Sequence, residues 1–320
     1  MAIPINTVIL NSLGDFVALH PDIKAVLGKD AGMLLGAPIA GPLVEETTKA
    51  LGALLLFWLF HSEFDNVRDG FIFGALIDIG FNLQETPLYI ARGFDSAGDI
   101  PLYHEIASRF AVFGFEGHAL FTGMFGMGLG LARQTTRRWL RVAAPIGGWL
   151  LGFSAHFLTN ITGLVIALVI YFQTGQPMVD TSATATIAPA VVTPFLNQWG
   201  QQTFTRLMTL FPFFLIAGVM LCQSGIWERN VIREQLADEQ EPVITPDEYE
   251  AVKGDRLFRT RRIAGYTRRT STAIVKAQDE LAFRKWRLKQ QEQDVDTDPL
   301  VAFWRDVLSH LRERKEAIAA

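Results

Sequence analysis

The stretch Pro42-Leu-Val-Glu45-Glu46-Thr-Thr-Lys49 sets two adjacent carboxylates and a lysine against an apolar run that ends Leu-Leu-Leu-Phe-Trp-Leu-Phe60. Further along come Asp78, Asn82 and Glu85 in one apolar segment. Glu116 and His118 follow in a second, with Arg109 near its start, and His156-x-x-x-Asn160 in a third. On a helix Lys49 reaches Glu45 four residues back and Glu46 three residues back. Adjacent helical side chains point about 100° apart, so the two glutamates can take separate roles. One stays ionised as a base while its neighbour orients it or pairs with Lys49. His156 and Asn160 share a face, where an imidazole and an amide bind an oxyanion or orient a water. His118 comes from another helix and completes the shell. Such a set suits attack by water on an amide, with a glutamate base, histidines for proton transfer and donors for the tetrahedral oxyanion. A serine nucleophile is disfavoured, because Ser154 lies on a different helical face from His156 and no G-x-S-x-G occurs.

The elements that must position these groups are long and apolar. A helix needs about 20 mainly apolar residues to cross the hydrocarbon of a bilayer. Five stretches qualify, near 31–60, 70–90, 106–131, 143–172 and 203–226. The expected fold class is therefore all-α, a polytopic membrane helix bundle followed by a charged, partly helical tail. Glu45, His118 and His156 fall near the centres of their stretches, and Glu85 lies nearer the exterior end of the second. Ionisable groups inside spans are expensive and mark functional sites by default. The plainer readings are a structural ion pair for Glu45, Glu46 and Lys49, and helix-bridging hydrogen bonds for His118, His156 and Asn160. Gly70-x-x-x-Gly74, Gly126-x-x-x-Gly130 and Gly148-x-x-x-Gly152 predict close helix approach. Asp69, before Gly70, reads as a helix N-cap.

Composition agrees with two solvents. The chain is 49% hydrophobic yet 19% charged over 320 residues, with a mean hydropathy of +0.22. A net charge of −4 argues against a nucleic-acid partner. The single cysteine, Cys222, excludes an intrachain disulfide and reads as a buried inert thiol. Arg133, Arg137, Arg138 and Arg141 mark a cytoplasmic loop, and the tail after the fifth stretch carries 18 of the 29 basic residues. The tail is thus expected in the cytoplasm and 174–202 outside. The domain reading is residues 1–30 as an N-terminal, interfacial or partly inserted segment, 31–226 as the membrane core and 227–320 as the tail. A solvated tail is favoured, and the alternative is an anionic-lipid contact along 256–289 using Phe258, Phe283 and Trp286. Residues 291–299, Gln-Glu-Gln-Asp-Val-Asp-Thr-Asp-Pro, read as a linker.

The order of these residues resembles the PrsW family of intramembrane proteases, related more distantly to the CAAX-prenyl-protease and bacteriocin-processing superfamily. The matching elements are Pro42-x-x-Glu45-Glu46-x-x-Lys49, Asp69-Gly70, Gly80-Phe81-x-x-x-Glu85, His118-x-x-x-Thr122-Gly123 and His156-x-x-x-Asn160, spread over about 39–165. The resemblance implies an endopeptidase acting on membrane-embedded or membrane-tethered protein, within a multi-pass protein of a bacterial or archaeal plasma membrane. It implies Glu45 and Glu46 as water-activating acids, surrounded by His118, His156, Glu85 and Asn160. Where many relatives carry Glu-Asn, this chain has Glu85-Thr86, which removes one amide donor.

Metal stays open at this level. Zn2+ accepts His and carboxylate ligands, and Glu45, Glu85, His118 and His156 could supply them. No H-E-x-x-H occurs and no local pair has metal-ligand spacing, which favours a metal-free glutamate mechanism. The family's description as metalloproteases favours the ion. Two other functions compete with proteolysis. Intramembrane Glu and His also build proton-coupled transporters or channels, though no internal repeat is evident. An inactive membrane scaffold would instead present the tail to partners.

Overall fold

The computed structural model describes residues 2–28, 31–60, 64–97, 100–114, 117–175, 195–254 and 263–313. Glu116, His61 and Phe258 lie outside the described residues. Among the described residues the chain is all-α, as expected, with no strand. It divides into two compact units, residues 1–220 and 221–320.

The first unit begins with α1 (Ala2–Ala18) and α2 (Pro21–Leu27), which lead into the long α3 (Ala31–Leu59). α4 (Val67–Ala97), α5 (Ile100–Arg109), a 3-10 turn at Ala111–Gly114, α6 (His118–Gln134) and α7 (Arg138–Thr174) follow. α8 (Phe195–Leu236) carries the division between the units within its length. Residues 1–30 are not a loose preface to this unit. Gly32 meets the backbone of Gly14 and Gly36 meets Leu10, so α1 lies antiparallel along the first turns of α3. Val17, Leu27, Ala31 and Leu164 form a shared core there.

α6 is the central helix, with most of its residues buried. Its four glycines each weaken an isolated helix by about 1 kcal/mol relative to alanine. They are tolerated because they admit neighbouring backbones. A Cβ on Gly126 would stand 2.0 Å from the carbonyl oxygen of Gly70, and one on Gly74 would stand 2.4 Å from that of Thr122. On the opposite side a Cβ on Gly128 would meet the Ala144 carbonyl at 2.4 Å, and one on Gly148 that of Met124 at 2.5 Å. The three small-residue stripes seen in the sequence thus bring α4, α6 and α7 together as an antiparallel layer. α3 packs across it, and Ala50, Ala53, Phe64, Phe125 and Leu129 close one end.

Three local expectations are corrected. The stretch 106–131 is not one helix. It breaks between α5 and α6, where Gly114 and Gly117 adopt positive φ angles of 86° and 157° and even Val112 and Phe113 are left-handed. His118 therefore opens a helix instead of sitting in the middle of one, and antiparallel pairing with α4 sets it beside Asp78. Asn66, not Asp69, caps α4: its Oδ1 accepts from Asp69 N at 3.0 Å, while Asp69 reaches back to Asp65 N at 3.1 Å. This is a shifted form of the reciprocal capping box. Cys222 is exposed on α8.

Outward faces carry apolar stripes at helical spacing: Leu51, Leu55 and Trp58 on α3, Ile72, Leu76, Ile79 and Leu83 on α4, and Phe204, Met208, Phe211 and Leu215 on α8. Exposed aliphatic stripes on several helices around a polar centre reverse the pattern of a water-soluble bundle. Among the described residues two helices, Arg138–Thr162 and Phe195–Leu236, are long and apolar enough by composition to cross a membrane. α3 and α4 carry charged site residues, which lower their own hydropathy.

The second unit contains the end of α8 with α9 (Pro246–Gly254), α10 (Arg268–Gln290) and α11 (Pro299–Glu313). The segment expected as a tail is helical and has its own core, in which Leu236, Ile274, Leu281, Leu288, Val301 and Leu308 are buried. Residues 291–299 join α10 to α11, and Asp298 Oδ1 accepts from Leu300 N and Val301 N to start α11. Basic residues of the 256–289 run are partly neutralised inside the unit: Lys285 pairs with Asp238 and Glu239 at 2.7 Å each, and Arg284 pairs with Asp298. Phe283 and Trp286 pack on Trp227, with ring centroids 5.8 and 5.0 Å away.

Candidate active site

α3, α4, α6 and α7 each send polar side chains into one cluster. α3 supplies Glu45, Glu46 and Lys49. Pro42, one turn before, lies inside α3 and gives no N–H to it, so the carbonyl four residues back loses its usual intrahelical donor. Lys49 is buried, and its Nζ contacts Asp78 Oδ1 at 2.9 Å, Glu46 Oε1 at 3.0 Å, His118 Nδ1 at 3.2 Å and Glu45 Oε2 at 3.6 Å. It also lies 4.1 Å over the Phe81 ring.

Glu46 is fully engaged. Oε1 accepts from Lys49 and lies 2.9 Å from His156 Nδ1, and Oε2 accepts from the Thr122 hydroxyl at 3.1 Å. An ionised carboxylate can only accept, so the His156 nitrogen that faces it, Nδ1, is the one that carries a hydrogen. Phe121 stacks on the His156 ring, with centroids 4.7 Å apart, and fixes its plane. Asp78 is buried between helices, accepting from Thr122 N at 3.2 Å as well as from Lys49.

Glu45 differs from its neighbour. Its side chain is 17% exposed against 3% for Glu46, and its Oε2 atom is buried without a hydrogen-bond partner. Oε1 lies beside Gly41, where a Cβ would meet both Glu45 Oε1 and Asn160 Nδ2 at 3.7 Å. Asn160 is itself exposed, at the edge of the cluster.

Glu85 and His118 form a second arm, with Glu85 Oε2 3.8 Å from His118 Nε2. Arg109, at the end of α5, joins them: its Nη1 lies 2.8 Å from Glu85 Oε2, 2.9 Å from Asn82 Oδ1 and 3.1 Å from His118 Nε2. Thr86 turns its hydroxyl back to Asn82, 2.7 Å from its carbonyl oxygen and 3.3 Å from its Oδ1.

The structure thus brings Glu45, Glu46, Glu85, His118 and His156 into one neighbourhood and leaves Asn160 at its rim. Asp78 and Arg109 carry no assigned role in the sequence, and Thr122 appears there only as a motif position. The spacing Asp78-x-x-x-Asn82-x-x-Glu85 did place three polar groups on one helical face. Nothing in the sequence shows that the Thr122 hydroxyl faces Glu46.

The donor chemistry fits a metal. Among the described residues, one ligand atom from each of Glu45, Glu46 and His156 lie within 4.8 Å of one another, and so do those of Glu45, Glu85 and His118. The four ligands expected from sequence therefore do not form one quartet but two triads that share Glu45, with Glu46 added. Glu45 Oε2 is buried without a hydrogen bond and has Lys49 Nζ only at 3.6 Å, so a closer cation could satisfy it. Carboxylates also outnumber the fixed cations: Glu45, Glu46, Asp78, Glu85 and Glu105 stand against Lys49 and Arg109.

Residues 1–182 match the PrsW family intramembrane metalloprotease. No curated protein and no solved structure matches the chain. With that match spanning more than half of its 320 residues and covering every element of the cluster, the chain belongs to the PrsW family and is a membrane-embedded peptidase.

Proposed function

We propose that the chain cleaves membrane-embedded or membrane-tethered protein by water activated at Glu45. The observation that carries this is the contrast between the two glutamates. Glu45 makes no hydrogen bond from its buried Oε2, meets Lys49 Nζ only at 3.6 Å and keeps partial access, as a base that meets water requires. Glu46, held by Lys49, Thr122 and His156, orients the imidazole and supports its positive charge when a proton arrives at Nε2. His156 is then placed to pass that proton to the leaving amine, and His118 and Asn160 are the donors nearest to a developing oxyanion. A zinc ion held by Glu45, Glu85 and His118, or by Glu45, Glu46 and His156, would supply Lewis acidity and lower the pKa of a bound water. An imidazole that ligates zinc cannot donate a proton from the same nitrogen, so the first triad would leave His156 as the proton donor, and the second would leave His118 and Asn160 as donors.

The proposed partners are the bilayer and a membrane peptide, and along 256–289 a solvated surface is favoured over contact with anionic lipid. The apolar outer stripes support several crossings, with the second unit on the cytoplasmic side as the arginine-rich loop at 133–141 requires. The test is cleavage of membrane peptides by purified protein, comparing the wild type with Glu45→Gln, Glu46→Gln and His118→Ala, with metal content measured in parallel. Loss of cleavage in Glu45→Gln is expected. Cleavage that persists in all three variants refutes the reading.

A further inference from the structure

Arg109 is placed oddly for a structural ion pair. One guanidinium nitrogen, Nη1, contacts three acceptors at once: Glu85 Oε2, Asn82 Oδ1 and His118 Nε2. Two of them, Glu85 and His118, belong to one of the metal-fitting triads. The third member, Glu45, has a buried Oε2 that makes no hydrogen bond and meets Lys49 Nζ only at 3.6 Å. Tetrahedral zinc with ligands at 2.0–2.1 Å sets two ligand atoms about 3.3 Å apart. Glu85 Oε2 and His118 Nε2 stand 3.8 Å apart around the Arg109 nitrogen, so a small closure would suit the ion.

Each ring nitrogen of His118 has a carboxylate beside it, Asp78 Oδ1 3.6 Å from Nδ1 and Glu85 Oε2 3.8 Å from Nε2. Both ring nitrogens also face cations that only donate, Lys49 Nζ at 3.2 Å and Arg109 Nη1 at 3.1 Å. A neutral imidazole accepts at one nitrogen, and a protonated one at neither. One cation therefore faces an N–H, held there by the carboxylates Asp78 and Glu85. The side chains of Arg109, Glu85 and His118 are 11%, 13% and 12% exposed. Taking Arg109 away would leave Glu85 buried without its cation, which another cation could replace.

Withdrawal of Arg109 has to undo its attachment. Arg109 ends α5, and the next residues carry the strained turn with Val112 at φ 51° and Phe113 at φ 56°. That turn is pinned by α8: Trp199 Nε1 donates to Phe110 O at 2.7 Å and Val112 N donates to Thr203 Oγ1 at 3.2 Å.

We propose that Arg109 occupies the cation position between Glu85 and His118, so that a divalent metal loads onto Glu45, Glu85 and His118 only when Arg109 withdraws. The inference rests on the metal fit of that triad and is independent of which peptide bond the chain cleaves. The test uses the full-length protein in detergent with Zn2+ alone, its affinity read by competition with a chromophoric chelator and without substrate. Arg109→Ala and Arg109→Gln are expected to bind Zn2+ at least tenfold more tightly than the wild type. Adding Glu85→Gln to Arg109→Ala is expected to abolish that gain. Equal or weaker binding by the Arg109 variants overturns the proposal, as does a gain that survives Glu85→Gln. A measurement needing no variant is hydrogen exchange of the wild type. Zinc loading is expected to raise exchange across 106–114, and loading with unchanged exchange there also overturns it. Because binding is read without catalysis, a failure here leaves the peptidase reading standing, and a failure of the peptidase assay leaves this one standing.

Discussion

His156 Nδ1 lies 2.9 Å from Glu46 Oε1, across 110 positions of the chain. That pairing divides the labour between two adjacent acids. Glu46 is tied to the imidazole and to Lys49, whereas Glu45 is left to meet water. Glu45→Gln is therefore expected to lower single-turnover cleavage by about 10²-fold or more, in line with loss of a general base. Its melting temperature should stay close to that of the wild type. Glu46→Gln removes the carboxylate shared by Lys49, Thr122 and His156. Loss of one partner from a buried charge network typically costs about 3 kcal/mol or more, so this variant is expected to melt earlier as well as cleave slowly. Equal melting of the two variants would refute the division of roles.

Thr122 donates twice, from its hydroxyl to Glu46 at 3.1 Å and from its backbone to Asp78 at 3.2 Å. Only the first bond depends on the side chain. Thr122→Val keeps the shape and loses a hydrogen bond to a charged acceptor, worth about 1.5–3 kcal/mol. Thr122→Ser retains the donor. The expectation is a destabilised, slower Val variant and a Ser variant near the wild type in both thermal unfolding and cleavage. A Ser variant as impaired as Val would show that the methyl group, not the hydroxyl, matters.

The helical character of the fold and the polar members of the site were legible because each rests on short-range pattern. Apolar length gave α3, α4, α7 and the membrane part of α8, and Glu45, Glu46 and Lys49 announced themselves as charges in such a run. The break before His118 was harder to read. Residues 110–117, Phe-Ala-Val-Phe-Gly-Phe-Glu-Gly, are apolar enough to continue a span, and only the paired glycines hint at a turn. The core of the second unit was hidden for another reason. Its core residues are scattered among charges that neutralise one another in three dimensions, as Lys285 does with Asp238 and Glu239. Sequence shows the charges but not their partners. The Arg109 contacts were equally hidden, since they depend on where the broken helix returns.

The contact between Gly70 and Gly126 sets the spacing of α4 and α6, and through it the distance from Asp78 to Thr122. A methyl group at either position would overlap the opposite carbonyl at 2.0 Å, and backbone cannot move aside as a flexible side chain can. Gly126→Ala is expected to lower folded yield and to reduce cleavage even in the fraction that folds. Gly147 on α7 has open space around its Cβ position, so Gly147→Ala should be neutral or slightly stabilising through helix propensity. Size-exclusion recovery and thermal unfolding of the two variants check this. A neutral Gly126→Ala would mean that α4 and α6 lie farther apart than described.

Acid sensitivity of the second unit follows from Glu248. Burial opposes its ionisation, but hydrogen bonds and charge from Arg312, with a further bond from Gln278, outweigh burial and hold the carboxyl below its ordinary range. A lowered folded-state pKa means stability that is fully present above the unfolded value, about 4.3 for glutamate. It is lost as pH falls through the folded value, where the unfolded chain has already taken up its proton. Glu239, held low against burial by Arg305 and Lys285, adds to the effect in the same direction. Hydrogen-exchange protection of 268–290 in the full-length protein, corrected for intrinsic rates, is therefore expected to hold from pH 7 to about 4.5 and to fall below it. Glu248→Gln should lose about 3 kcal/mol at pH 7, because Arg312 is left buried without its carboxylate, and its remaining protection should decline less steeply in acid. An identical acid decline in the wild type and Glu248→Gln would remove Glu248 from the explanation.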